Sequence, residues 1–372
     1  MGPARAAGTY EAQRKVGDQA LAKKNYSVAI AAFGHLVQAF PKRWEPYQAL
    51  GFAYFQAGQL DPAITQFKRA LQIAPGNASV RGDLILAVDR LAVEKTQQLA
   101  FPEALKLLED TEARFPGSKQ TLVLHYRRGQ IDFFTGDVND GLALWKDVAR
   151  QAPASKTARF LGGYQAHQAG QLDLAESAYQ GALARRPNDP SNADPVVLNY
   201  YGLLLSDLGK LDQASEKFQA AQVTNPPYPG LYLNWARLLQ RQGRLDAALQ
   251  QVKRLATFPR TAAQGHLWLA ALAKAQGQAD VSKQELSQAA LSQTDSVLIV
   301  NSTQPGWDVW IDQTYLGPTP VGAKLPQGFH RIKVQPTGRQ PSTREFEAGP
   351  SQLWSATADQ LIELQQLPLS NQ

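Results

Sequence analysis

The chain has 372 residues, no cysteine, and 38 Lys/Arg against 32 Asp/Glu, a net charge of +6. That length holds two or more domains or one long repeat array. The missing cysteine excludes disulfides, thiolate nucleophiles and thiolate-bound zinc, and no apolar run in the sequence approaches the ~18 residues that cross a bilayer.

Met1-Gly-Pro-Ala-Arg-Ala-Ala-Gly8 is too short and too weakly apolar for a signal peptide, so residues 1–9 read as an N-terminal tail or remnant. From there the chain is Ala-, Leu- and Gln-rich and repeats itself. The block from Trp44 to Asn77 is the clearest unit. It sets Trp44, Tyr47, Leu50, Gly51 and Tyr54 at helical spacing, breaks at Gly58, and resumes with Leu60, Ala63, Phe67, Ala70 and Pro75. Small Gly51 and Ala63 predict close approach of two antiparallel helices, with Tyr54 and Phe67 filling the space between them. Gly58 predicts a turn at positive φ, and Asp61-Pro62 an N-cap and N1 pair for the second helix.

The same set recurs along the chain. Gly17, Ala29, Phe33 and Pro41 precede the clear block; Leu84, Val88, Ala104 and Leu108 follow it in an overlong, faded unit. Then come Gly129, Gly136, Trp145 and Pro153; Gly163, Gly170, Ala175, Tyr179, Ala182 and Pro187; and Gly202, Gly209, Ala214, Phe218, Ala221 and Pro226. Trp235, Gly243, Leu245, Ala248 and Pro259 form a seventh unit, and Leu269, Ala270, Gly277, Leu286 and Ala289 a degenerate eighth. This pattern resembles the tetratricopeptide repeat (TPR). The resemblance implies a mainly α protein, a right-handed solenoid of about eight helix pairs over residues 10–293. Its concave face would hold an extended peptide or a helix of a protein partner, with no chemistry of its own.

Counting Trp44 as the first position, the groove positions of successive units read Glu11, Arg14, Asp18 and Leu21, then Glu45, Gln48, Phe52, Phe55 and Gln56. The fourth unit supplies Val123, Tyr126, Gln130, Phe133 and Phe134, and the fifth Thr157, Phe160, Tyr164, His167 and Gln168. The seventh and eighth supply Arg237, Gln240, Arg241 and Lys274. Phe52, Phe55, Tyr126, Phe133, Phe134, Phe160 and Tyr164, with Arg237 and Arg241, are the candidate partner-binding residues. Exposed rings in a groove make binding hot spots, whereas a one-residue error in register turns the same rings into core. Arg14 with Asp18 stands where the Lys-Asn carboxylate clamp of chaperone-binding members would be. An acidic chaperone tail is therefore not the expected partner.

The five histidines, at 35, 125, 167, 266 and 330, are scattered, and no HExxH, phosphate loop, dinucleotide fingerprint or nucleophile elbow is present. No catalytic residues, metal site or cofactor is expected, and the protein does not read as an enzyme. The Lys/Arg excess is spread through the helical part without a dense run, so nucleic acid is not an expected partner.

After Thr294 the period changes. Val297-Leu-Ile-Val300 is a short apolar strand; Val309 and Ile311 alternate with Trp310; Gly317-Pro-Thr-Pro320 and Leu325-Pro-Gln-Gly328 are turns; His330, Ile332 and Val334 alternate again; Leu353–Thr357 closes. The reading is an antiparallel β domain of four or five strands over residues 296–360, with a tail at 361–372. Gly306, Val309, Ile311 and Asp312, then Gly317, Thr319 and Pro320, then Leu325, Gly328, His330, Ile332 and Val334 resemble the PEGA family. The departures are Gln313 where Gly follows the Asp, and Gly338-Arg339 where Gly-Tyr is usual. The resemblance implies a small β-sandwich-like module, often appended to envelope or repeat proteins, with His330 structural. Trp310 faces away from Val309 and Ile311 and is the candidate β-domain surface residue, either docking a partner or packing on the last helix or the tail.

The combined expectation is a protein-interaction scaffold in a bacterial cell-envelope assembly for secretion, pili or the surface layer. It would sit in the periplasm or outer envelope, with a signal or lipid anchor outside this sequence. The alternatives are a cytoplasmic adaptor and an envelope structural protein whose β domain contacts glycan.

Overall fold

The computed structural model describes residues 3–184, 194–223, 227–292, 294–358 and 362–368. Pro187, Pro226, Gln293 and Leu361, used above as repeat or domain boundaries, lie outside these residues. The chain divides into two compact units: Met1–Asp132 with Asn139–Pro153, and Phe133–Val138 with Ala154–Gln372.

In the first unit lie the helices α1 (Pro3–Ala22), α2 (Tyr26–Ala39), α3 (Glu45–Gln56), α4 (Leu60–Ile73), α5 (Ala78–Gln97), α6 (Phe101–Glu112) and α8 (Val138–Gln151), with most of α7 (Leu122–Thr135). Consecutive helices form antiparallel hairpins whose seam is a glycine facing an aromatic ring. A Cβ on Gly51 would meet the Phe67 ring at 2.7 Å, one on Gly129 would meet Trp145 at 2.5 Å, and one on Gly17 would run into Phe33. Gly58 turns the chain at φ 76°, as the breaker position requires. The start of α4 differs from expectation: the helix begins at Leu60, so Asp61 and Pro62 sit inside its first turn instead of capping it. Burial decides this, because Leu60 is core and must enter the helix to reach it. Asn25 and Asn77 do cap, accepting from Val28 N and from Ser79 N and Val80 N respectively.

In the second unit lie α9 (Lys156–Gln168), α10 (Leu172–Leu183), α11 (Pro195–Asp207), α12 (Leu211–Val223), α13 (Pro229–Arg241), α14 (Leu245–Leu255), α15 (Ala262–Ala275) and α16 (Ala279–Gln288). The seam recurs: a Cβ on Gly163 would meet Tyr179, and one on Gly202 would meet Phe218, each at 2.8 Å. Gly170, Gly209, Gly243 and Gly277 all turn at φ 73°. Sixteen helices among the described residues make the eight pairs of a TPR-like solenoid.

The β domain is larger than four or five strands. β1 (Ser296–Ser302), β2 (Asp308–Ile311), β3 (Thr314–Pro318), β4 (Val321–Leu325), β5 (Gly328–Gln335), β6 (Ser342–Ala348), β7 (Gln352–Ala358) and β8 (Ile362–Pro368) form two four-stranded sheets, ordered β4-β1-β7-β8 and β3-β2-β5-β6. β8, paired along β7, lies in the stretch read from the sequence as a tail. One pairing, β1 with β7, is parallel; the others are antiparallel. Leu298 and Val300, Val309 and Ile311, and Ile332 and Val334 share the core with Val321, Leu325 and Phe346. β3 and β4 escape a sequence reading because their residues, Tyr315-Leu-Gly-Pro and Val-Gly-Ala-Lys324, carry turn formers inside short strands.

The β2–β3 hairpin keeps a two-residue turn despite Gln313. Asp312 and Gln313 both adopt positive φ, 47° and 74°, between the paired Ile311 and Thr314. Asp312 is held there by Arg331 N, which donates to its carboxylate at 2.7 Å, and by His330 Nδ1 at 2.5 Å. His330 is buried, and its Nε2 reaches the Pro326 carbonyl at 2.8 Å, a structural role.

Candidate interaction surface

In the first unit, α3, α5 and α7 are first helices of their pairs and are joined by polar side chains. Gln48 Nε2 donates to Asp83 at 2.6 Å and to Ser79 at 3.1 Å. Arg127 Nε donates to Asp89 at 2.9 Å. Apolar groups remain open to solvent on the same helices: Phe52 is 40% exposed and Leu86 on α5 is 53% exposed, with Val123 also exposed. Phe55 is half-buried, and the Arg90 guanidinium lies 5.4 Å from its ring centroid. Leu86 was not singled out from the sequence. Phe52 follows Gly51, the small seam residue, but Leu86 follows Ile85 in the faded third unit, where no glycine marks the register.

Tyr126 is half-buried and stacked on Trp145, centroids 5.3 Å apart and planes at 11°. Its carbonyl accepts from Trp145 Nε1 at 2.9 Å, so its ring belongs to the hairpin seam. Arg14 and Asp18 pair with each other at 3.7 Å on exposed α1.

In the second unit the aromatic positions need correction. Phe133 and Phe134 are each 2% exposed and Phe160 is fully buried. Phe133 meets Phe160 edge-on at 6.2 Å and Tyr200 at 5.9 Å; Phe134 packs on Tyr228 at 5.2 Å; Phe160 also touches Tyr179. These rings are core and present no open face. Their ring neighbours Phe160, Tyr200 and Tyr228 lie on or at the start of the first helices of other pairs, so a one-residue turn of the helix separates groove from core. Tyr164 is half-buried beside Phe160 and Tyr200. Burial raises the pKa of the Tyr200 phenol well above its ordinary value.

The basic positions are corrected more sharply, because the β domain already holds them. Arg237 Nη2 donates to the Leu316 carbonyl at 2.9 Å, with its guanidinium 4.9 Å from the Tyr315 ring centroid. Gln240 Nε2 and Trp268 Nε1 both donate to the Pro320 carbonyl, at 2.7 and 3.0 Å. Lys274 Nζ donates to Ser355 Oγ at 2.7 Å. Arg241 stands between two carboxylates, Nη1 on Asp207 at 3.0 Å and Nη2 on Asp308 at 3.2 Å, with Tyr315 OH also 3.2 Å from Nη2. Burial works against the Arg241 charge, yet Tyr315, Asp308 and Asp207 hold its pKa above the usual value. For Asp207 burial raises and hydrogen bonds from His167 and Arg241 lower the pKa; the bonds win. Burial alone lowers Lys274. Asp207 and Trp268 were invisible to the sequence reading, since nothing local announces a partner 34 residues downstream for Asp207 (Arg241) or 52 for Trp268 (Pro320).

Trp310 is half-buried, 5.3 Å from the Tyr315 ring, with the Lys333 ammonium 4.5 Å from its own centroid. It packs on the outer face of its own sheet, where a cation shields the ring. No described helix is long and apolar enough to cross a membrane.

Two tetratricopeptide-repeat families match, one over residues 20–82 and the other over residues 126–190, and the PEGA domain family matches residues 295–352. Among solved structures, the chain is similar to a tetratricopeptide repeat protein from Parabacteroides merdae (15% identity, 76% of this chain and 100% of that one, TM-score 0.40). It is also similar to PilW, a type IV pilus biogenesis factor (16% identity, 60% and 96%, TM-score 0.35), and to MamA protein (17% identity, 59% and 92%, TM-score 0.32). A search of curated proteins finds no match. The chain thus carries tetratricopeptide repeats followed by a PEGA domain.

Proposed function

We propose that the protein is an interaction scaffold of a bacterial cell-envelope assembly, and that it holds a segment of a protein partner on the first-helix face of its N-terminal pairs. The observation that carries this reading is the pair of solvent-open apolar side chains, Phe52 and Leu86, on adjacent first helices. Large apolar groups exposed together on one face of a repeat protein are where binding energy concentrates. Half-buried Phe55 under Arg90 extends that face. The envelope setting is supported by the cysteine-free composition and by the PEGA module.

Affinity capture from the native host with mass spectrometry tests the reading, comparing the wild-type chain with Phe52→Ala/Leu86→Asp. The expected result is a partner retained by wild type and lost by the variant, with matching melting curves. Identical captured sets would remove the reading.

A further inference from the structure

β1 carries four consecutive apolar residues, Val297 to Val300, all fully buried. A strand covered on one face alternates, so an unbroken run needs cover on both. Leu298 and Val300 face the sandwich core; Val297 and Ile299 pack with Leu353 onto Leu267, Ala270, Ala271 and Ala289. The backbones close in as well. A Cβ on Gly322 would run into the Leu267 carbonyl, and one on Gly306 would lie 2.9 Å from Arg241 Cα. Around this apolar seam sit the bonds from Arg237, Gln240, Trp268 and Arg241 to the β2–β4 segment, those of Gln240 and Trp268 buried and the other two part-buried. Breaking them strands polar groups away from water, so the seam opens as a whole or stays shut. The last helix gives little alternative cover, as Ser282 is its one buried residue among those described. Repeat arrays need an end that shields their apolar interior.

We propose that the β domain is a permanent end wall on the first-helix face of its own unit. It fills in cis the first-helix positions of the seventh and eighth pairs, opens only as one cooperative unit with α13 and α15, and denies a protein partner those positions. The wall stands on this interface alone; the limit it sets on a partner rests on the function proposed above.

Hydrogen exchange with mass spectrometry on the full chain tests the wall without any partner, so its failure is distinct from a failed capture. In Gly322→Ala, amides of α13, α15, β1 and β4 should accelerate together by about tenfold or more while those of α3 and α4 keep their rates. Arg241→Gln should give the same joint response at smaller amplitude, and it carries the test should Gly322→Ala not fold. A synthetic peptide of residues 313–322, added to wild type at millimolar concentration, should leave exchange in α13 and α15 unchanged. Two results would overturn the proposal: strand amides accelerating while α13 and α15 keep wild-type rates, or the peptide loosening the β domain from its seat.

Discussion

At Gln313 a side chain sits at φ 74°, where glycine is the residue of least strain. Replacing it with glycine removes that strain, and Gln313→Gly should stabilise the β domain by about 1 kcal/mol, read as a higher urea midpoint at unchanged slope. A lower midpoint would mean that the Gln side chain contributes more than its backbone costs. Phe160 and Phe52 make the opposite contrast between two rings that look alike in sequence. Fully buried Phe160, truncated to alanine, should cost about 3–5 kcal/mol. Phe52→Ala, at an open position, should stay within about 0.5 kcal/mol of wild type. Equal losses in thermal melts would contradict the assignment of one to core and the other to surface.

Among elements, the hairpin seam is the repeating device. A glycine on the first helix receives a ring from the second, and the helices approach because no Cβ intervenes. Gly163→Ala should therefore cost about 1–3 kcal/mol by overpacking against Tyr179, although alanine is the better helix former. Propensity predicts a gain of up to about 1 kcal/mol, so the sign of the change in denaturant midpoint separates packing from propensity. This seam was legible because it is local: the partners lie about sixteen residues apart and recur. The departures came where pairing is long-range or burial overrides a local signal. α4 starts one residue before its Asp-Pro, and β3, β4 and β8 exist because neighbouring strands complete them.

Over the whole molecule, charge is organised by contact and not by sequence. Burial raises and hydrogen bonds lower the pKa of Asp147, Asp207 and Asp312, with the bonds winning; at Asp295 a bond from Lys324 is the leading cause. A carboxylate whose folded pKa lies below its unfolded value of about 3.9 stabilises the fold above that pH and loses its contribution as pH falls through the folded value. Melting temperature should thus hold down to about pH 4 and fall below it, with a shallower acid limb in Asp207→Asn. A flat profile to pH 2 would contradict these pairings. The sequence by itself determined the helix-pair repeat, its breaker glycines and ring seams, and the β module, because each rests on side-chain periodicity and local backbone preference. Only the tertiary structure decided which rings stay open to solvent and which turn into core, since a single helical step separates the two. It also decided that Arg237, Gln240, Arg241 and Lys274 hold the chain's own β domain. Such a contact depends on surfaces brought together by folding, and no local pattern records it.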